Sequence, residues 1–141
     1  MNNKPTEYLI AHIGHTGKHC EHICWWRPES RGYTLCIDQA GRYTEAQAAS
    51  ICDRPDGSCI AVPADFVKPL ARSAPYFRMN NGDLRALYDF TDMKPVPNTR
   101  ECWDALIQAK AFPASFKHQK PTPIGSKARA IYIDKVVKSE A

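Results

Sequence analysis

Proline limits the length of every secondary-structure element that this chain can form. Eleven prolines are spread over the 141 residues, and proline breaks helix interiors and cannot donate to a β ladder. The helices and strands between them should therefore be short. An apolar fraction of 43%, with 3 Trp, 6 Tyr and 5 Phe, nevertheless argues against a disordered chain. We expect a small domain of short elements around a modest core.

The N-terminal part of the sequence predicts a small, mainly antiparallel β-sheet. Residues 8–13 and 19–26 are rich in β-forming side chains, and the two glycines of GHTGK between them allow the chain to reverse as a hairpin. A third strand is predicted at 33–38, where apolar and polar side chains alternate. A fourth short strand is predicted at 58–62, just before a proline.

Two helices are predicted from capping signals at their N-termini. A T-x-x-Q capping box starts at Thr44 and predicts a helix over 45–52. An N-x-x-E pattern starts at Asn98 and predicts a helix over 99–111. The second helix would carry one apolar stripe of Cys102, Ala105, Leu106 and Ala109. The predicted fold class is α+β, a small mainly antiparallel sheet with two or three short packing helices.

Two further segments give conflicting or weak signals. Three prolines leave room for little more than a helical turn over 63–77. Residues 80–90 contain an Asn-Gly pair, which is typical of a hairpin turn, but also three apolar residues at helical spacing. A helix is the preferred interpretation of this second segment.

The excess positive charge lies at the C-terminal end. Residues 100–141 carry a net charge of +4, which equals the net charge of the whole chain. We divide the chain into one α+β domain over 1–112 and a basic extension over 113–141. Within this extension, residues 129–137 predict a strand that joins this sheet or pairs with a partner. A basic end can attract phosphate groups or acidic protein surfaces, and a solvated tail is the alternative.

The N-terminus carries no export signal. The start MNNKPTEYLIAHIG lacks a basic region followed by an apolar one, and no apolar run approaches the roughly 18 residues of a transmembrane helix. We expect a cytoplasmic protein without a membrane partner. In that compartment the six cysteines should be reduced.

The densest chemistry lies in HTGKHCEHICWWRP, residues 15–28. Zinc binds thiolate and imidazole groups together, and on an extended strand Cys20 and His22 would share a face. Cys20 and Cys24 would be about 13 Å apart on such a strand and cannot share an ion unless the strand is broken. The candidate metal ligands are Cys20, His22, His12 and Cys36. The preferred interpretation is buried cysteines, solvent-facing histidines and no cofactor, and zinc binding is the alternative.

Local catalytic signatures are absent from the sequence. It contains no G-x-S-x-G, no G-x-x-x-x-G-K-[ST], no G-x-G-x-x-G and no H-E-x-x-H. Catalytic groups also assemble in space rather than in sequence. We expect a protein that acts without catalysis.

Aromatic and basic residues after this stretch are candidates for partner binding. Trp, Tyr and Arg are enriched at protein-interface hot spots, and the same side chains stack bases and bind phosphates. Adjacent tryptophans on a strand face opposite sides, so one indole should be buried and the other available for contact. The candidates are Trp25, Trp26, Arg27, Arg31, Tyr33 and Arg42, together with Lys117, Lys120, Lys127 and Arg129 from the basic end.

Residues 25–48, WWRPESRGYTLCIDQAGRYTEAQA, resemble a pattern of small accessory proteins of tailed bacteriophages and prophages. The pattern is W-R-P, GYT, AG-x-Y-T and a short helix, and the following SCIAVPADFV also fits, so the resemblance spans roughly residues 8–67. No activity attaches to the pattern. It implies a binding protein that inhibits or redirects a host machine, such as a CRISPR-type defence complex, by protein–protein contact. The alternatives are a small nucleic-acid-binding protein and a zinc-stabilised module.

Overall fold

Two antiparallel sheets and three short α-helices make up the described part of the chain, which comprises residues 5–53, 58–73, 75–88, 94–112 and 120–132 of a computed structural model. The strands are β1 (Tyr8–His12), β2 (Trp25–Trp26), β3 (Tyr33–Thr34), β4 (Cys59–Pro63), β5 (Pro75–Arg78), β6 (Leu84–Ala86) and β7 (Ile131–Tyr132). The helices are α1 (Glu45–Cys52), α2 (Ala64–Val67) and α3 (Arg100–Ala109). The predicted α+β class is confirmed, with two sheets in place of one.

The first sheet has the strand order β3-β2-β1-β4 and is covered on both faces. β1 pairs along its whole length with β4, and its residues alternate between two core clusters. Leu9 lies in a cluster with Trp103 of α3, whereas Ile10 lies in a cluster with Ala48 of α1. The sheet is therefore a buried middle layer, as its nearly continuous apolar strands require.

In the hairpin predicted for the N-terminal part, β1 pairs with β2 only at its open end, where Ala11 lies opposite Trp25. β2 is limited to two residues, residues 13–20 fold into turns, and His22 forms an isolated antiparallel bridge with Pro97. The hydroxyl of Thr16 donates to the carbonyl of His12 and accepts the backbone N–H of Cys24. These side-chain bonds compete with a β ladder, so the strand predicted over 19–26 is reduced to Trp25–Trp26.

The strand predicted over 33–38 is also shorter than expected. The ladder ends at Thr34, whose hydroxyl accepts the backbone N–H of Cys36. A 3₁₀ turn, Ile37–Gln39, follows directly. This Thr-centred turn diverts the chain before the alternating pattern can extend the sheet.

The two predicted helices are present, one with its expected cap and one with a different cap. At α1, the backbone N–H of Gln47 donates to the Thr44 hydroxyl, and the Gln47 side chain accepts the Thr44 N–H. At α3, Thr99 is the capping residue, because its hydroxyl accepts the N–H of Cys102. Asn98 is buried, and its side chain bonds to other segments. Of the predicted apolar stripe, Leu106 is buried and Cys102 and Ala109 pack against the same core cluster, which also contains the unpredicted Trp103.

Residues 75–88 form a hairpin, and the helix preferred over 80–90 is wrong in its described part. β5 and β6 pair in antiparallel fashion, and Gly82 adopts φ +94° in the connecting turn. The Asn81 side chain accepts the N–H of Asp83 and stabilises this turn. The short helical turn expected over 63–77 is present as α2 and the 3₁₀ turn Lys68–Leu70. The sequence did not predict β5, which begins at Pro75.

The C-terminal strand joins this second sheet, which has the order β6-β5-β7. Ile131 pairs with Tyr76, and Tyr132 with Pro75. The strand predicted over 129–137 thus occurs at Ile131–Tyr132 within this chain, and residues 133–137 lie outside the described residues. In the described ranges, no helix combines the length and the hydropathy needed to cross a membrane.

Candidate interaction surface

The loop that joins β2 to β3, residues 27–32 (RPESRG), is exposed along its whole length. We call it the Arg27–Gly32 loop. Glu29 and Ser30 adopt φ values of 59° and 56°, in the left-handed region that non-glycine residues rarely enter. Such a conformation costs about 1–2 kcal/mol per residue and persists only where the surroundings impose it.

Tyr43 is the residue that imposes this conformation from beneath. Its side chain is buried, and its hydroxyl accepts the backbone N–H of Ser30 at 3.1 Å and donates to the carbonyl of Arg27. The backbone N–H of Arg27 also donates to the carbonyl of Gly32 at 2.8 Å. The loop is therefore closed at its base and anchored in its middle by one phenol.

Gly41 allows Tyr43 to reach this position. A Cβ atom at residue 41 would lie 2.6 Å from the Tyr43 ring and 2.9 Å from the carbonyl carbon of Arg27. The N–H of Gly41 donates to the carbonyl of Trp26 at 2.8 Å, which holds the two segments together. In the W-R-P, GYT and AG-x-Y-T pattern, Trp26, Gly41 and Tyr43 thus support one exposed loop, whereas Thr44 caps α1.

An aromatic cluster of His12, His15, Trp26 and Tyr33 adjoins the loop at β3. The exposed imidazole of His15 stacks on the half-buried Tyr33 ring at 3.8 Å between centroids. Tyr33 packs in turn against Trp26 at 4.5 Å. The Nδ1 atom of His12 accepts the backbone N–H of His15 at 3.1 Å, which orients the segment that carries the outer imidazole.

The exposed charges of this region are of both signs. Arg27 and Arg31 are exposed, as is Arg42. Arg31 forms an ion pair with Glu29 at 3.4 Å, and Arg42 forms one with Glu7 at 3.9 Å. We define the contact surface as the Arg27–Gly32 loop together with Tyr33 and His15. It combines a fixed backbone, two aromatic rings and charges of mixed sign.

The two tryptophans predicted for partner contact are both buried. Trp25 is 0% exposed and lies in the cluster under α3, whereas Trp26 is 8% exposed and lies in the cluster under α1. The indole N–H of Trp26 donates to the Sγ atom of Cys59 at 3.3 Å. The expectation of one exposed indole is wrong, because helices cover both faces of the sheet.

The basic residues of the C-terminal part are not brought to the contact surface. Lys117 lies outside the described residues, and Lys120 and Lys127 are exposed on segments of their own. Arg129 lies over the Phe77 ring of β5, with its Cζ atom 5.2 Å from the centroid, and pairs with Glu21 at 3.9 Å. Glu21 also accepts the backbone N–H of Arg129, so this segment is docked near the second sheet.

The predicted metal ligands are separated by the fold. His22 is fully buried, with Nδ1 2.6 Å from the Tyr88 hydroxyl and Nε2 2.9 Å from the Tyr132 hydroxyl. Burial lowers the pKa of His22 to about 4, so the imidazole is neutral near pH 7. No three His, Cys, Asp or Glu side chains of the described ranges are placed to hold a metal together. No three of Cys20, His22, His12 and Cys36 are thus grouped, and zinc binding stays a prediction.

Sequence reasoning missed several residues that shape this surface. Gly41 and Tyr43 were present in the AG-x-Y-T pattern, but nothing local indicates that a phenol at 43 reaches a loop 13 residues earlier. No protein-family model, curated protein or solved structure matches the chain. The class defined by fold and surface is a small α+β protein that displays a rigid, mixed-charge loop beside an aromatic cluster.

Proposed function

We propose that this chain is a non-enzymatic binding protein that docks on a protein partner through the contact surface. The observation that carries the proposal is the exposed Arg27–Gly32 loop, held in a strained conformation by the buried Tyr43 hydroxyl. A loop that is ordered before binding loses less conformational entropy when it binds. Strain that is maintained at an exposed loop is typical of functional segments.

The composition of the contact surface favours a protein partner over a nucleic acid. Arginine and tyrosine are enriched at protein-interface hot spots, and the surface offers Arg27, Arg31 and Tyr33. Glu29 lies within the same loop, 3.4 Å from Arg31, and would repel a phosphate backbone. Both indoles next to the loop are buried and cannot stack on bases.

The nature of the partner follows from the resemblance of residues 25–48 to phage accessory proteins. We propose a host protein or protein complex in the bacterial cytoplasm, inhibited or redirected by the bound chain. A CRISPR-type defence complex is the specific candidate, which would make this chain a counter-defence protein. Mixed charges on the loop would pair with complementary charges on the partner and set its orientation.

A pull-down from bacterial host lysate, with and without nuclease, identifies the partner. We expect one dominant multi-subunit complex that survives nuclease treatment. Its affinity for the purified chain is then measured for the wild type, for Arg31→Ala and for the matched control Arg85→Ala, an exposed arginine of β6. Arg31→Ala should weaken binding roughly tenfold or more, and Arg85→Ala should leave it unchanged.

Two outcomes would contradict the proposal. One is recovery of diverse nucleic-acid-binding proteins that disappear with nuclease, combined with a steep linear fall of log affinity with log salt concentration. The other is a partner whose affinity falls equally in the Arg31→Ala and Arg85→Ala variants, since the contact surface would then have no special part in binding.

A further inference from the structure

Two cysteine thiols of the turn segment 13–24 point at one backbone oxygen. The Sγ atom of Cys24 lies 3.4 Å from the carbonyl oxygen of His15, and the Sγ atom of Cys20 lies 3.9 Å from the same oxygen. On an extended strand these side chains would be about 13 Å apart. The turns that replace the strand bring both Sγ atoms within 3.9 Å of one oxygen, so the two sulfurs lie less than about 8 Å apart.

The backbone around both cysteines is held in place by bonds to three other segments. The N–H of Cys24 donates to the Thr16 hydroxyl at 3.0 Å, and the N–H of Cys20 donates to the carbonyl of Gly17 at 2.9 Å. The buried amide of Asn98 donates to the carbonyl of Cys20 at 2.9 Å. The thiols therefore converge because the backbone is fixed, and both stay partly accessible to solvent.

The electrostatics of the pair favour a bound cation. Burial raises the pKa of the Cys24 thiol, and a negative charge on Cys20 raises it further, against a hydrogen bond to Thr16 that lowers it. A thiolate at Cys20 thus disfavours the ionised form of Cys24. A cation between the sulfurs removes this repulsion, so loss of both protons and binding of one ion are coupled.

The number of ligands selects the kind of ion. Structural zinc requires four ligands, and in the part of the chain that the structure describes no third His, Cys, Asp or Glu joins the pair in a metal-binding group. Soft thiolates select Cu(I), a closed-shell monovalent ion that two thiolates satisfy. We propose that Cys20 and Cys24 form a two-thiolate site for a soft monovalent cation of the Cu(I) type.

Binding at this site is an exchange of protons for metal without any redox change. Both S–H bonds lose their protons to solvent, two metal–sulfur bonds form, and copper stays in the +1 state. The site adjoins the contact surface at His15, whose carbonyl oxygen both sulfurs approach, but Cu(I) binding stands independently of the proposed binding function. Its test also needs no knowledge of the partner.

The full chain, reduced and free of metal, is titrated anaerobically with Cu(I) in competition with bicinchoninate. We expect one Cu(I) per chain. Cys20→Ser and Cys24→Ser should each weaken binding by roughly 100-fold or more, since even outer-shell changes cost about 10–100-fold in metal affinity. The control is Cys102→Ser, which removes another partly buried thiol, in α3, and should bind as the wild type does.

A second measurement on the wild-type chain avoids any dependence on variant folding. Cu(I)-loaded and metal-free protein are treated with iodoacetamide, and the tryptic peptides are weighed. We expect Cys20 and Cys24 to be protected together by one equivalent of Cu(I), while Cys102 reacts equally in both samples. The proposal is overturned if protection falls on Cys102 or if Cys20 and Cys24 react alike with and without metal.

Discussion

The backbone N–H of Ser30 donates a hydrogen bond to the hydroxyl of Tyr43 at 3.1 Å, across 13 residues of sequence. Through this bond a buried ring of the core stabilises a left-handed residue at the surface. The pair couples the packing of the core to the shape of the exposed loop, because Tyr43 lies in the core cluster that also contains Trp26 and Ile10. The shape of the exposed loop therefore depends on the core, and the following predictions test that dependence.

Tyr43→Phe should keep the ring and remove the anchor of the loop. The Ser30 N–H and the Arg27 carbonyl both lose a partner, at a cost of about 1–3 kcal/mol in the free energy of unfolding. Urea denaturation measures this loss, and binding to the proposed partner should weaken because the loop is no longer ordered. Unchanged stability and affinity would show that the hydroxyl has no part in loop order.

Ser30→Gly should behave unlike an ordinary glycine substitution. Glycine enters the left-handed region without a steric penalty, so relief of strain at φ 56° offsets the greater entropy of the unfolded chain. We expect equal or higher stability by thermal melting. The matched control is Ser50→Gly, the same change at an exposed position of α1, which should destabilise by about 0.5 kcal/mol. Equal losses at both positions would argue against strain at Ser30.

Gly41→Ala should be strongly destabilising, in contrast to Gly17→Ala. A Cβ at 41 meets the Tyr43 ring at 2.6 Å and the Arg27 backbone at 2.9 Å, and such overpacking costs about 1–3 kcal/mol. A Cβ at 17 meets only the exposed ring of His19, at 2.9 Å, and that ring can move aside. Chemical denaturation of both variants checks the difference, and the prediction fails if the two lose equal stability.

The stability of the protein should decrease as the pH falls through the histidine range. The pKa of buried His22 is lowered to about 4 in the fold, from an ordinary value of 6.5. Between pH 6.5 and about 4, His22 therefore binds a proton in the unfolded chain but not in the folded chain. The contribution is fully present above pH 6.5 and is lost between pH 6.5 and about 4, with a size of about 3 kcal/mol.

Denaturation at several pH values, combined with an NMR titration of the His22 imidazole, checks this prediction. The groups that face the ring are the hydroxyls of Tyr88 and Tyr132, and burial raises the pKa of Tyr88, so that phenol stays protonated in this range. A His22 imidazole that titrates near 6.5 in the folded protein would contradict the assignment. In the His22→Gln variant, this decrease in the free energy of unfolding between pH 6.5 and about 4 should be absent.

The tryptophan fluorescence should report complete burial of all three indoles. Trp25, Trp26 and Trp103 are 0%, 8% and 1% exposed. We expect a blue-shifted emission maximum and weak quenching by acrylamide, both lost on unfolding in urea. Strong quenching in the native protein would mean that an indole is accessible, and the interpretation of the sheet as a layer covered on both faces would be wrong.

Elements with strong local signals could be predicted from the sequence. The helix at 45–52 occurs with its expected bounds, because Thr44 and Gln47 satisfy each other's backbone N–H groups within one turn. The hairpin around Gly82 also has a local signal, the Asn-Gly pair. The helical spacing of its apolar residues does not predict the structure of this segment. At this site the turn chemistry dominates over periodicity.

Other features depend on contacts between distant segments and could not be predicted. The strand expected over 19–26 forms only at Trp25–Trp26, because Thr16 and Asn98 bind the backbone of the preceding residues and turn it away from the sheet. Asn98 has the appearance of a helix cap in sequence, yet its side chain is buried and bonds to Gly17, Cys20, Thr122 and Trp103. One buried amide thus decides the course of several loops.

The sequence by itself determined the α+β class, the shortness of the elements and the helix caps at α1. These properties depend on proline, on local periodicity and on hydrogen bonds between residues three apart. Only the tertiary structure decided that both Trp25 and Trp26 are buried, that Tyr43 supports the Arg27–Gly32 loop, and that Cys20 and Cys24 converge. The physical reason is that burial and convergence depend on which segment covers each face of the sheet, and that choice is made by packing between residues far apart in the chain.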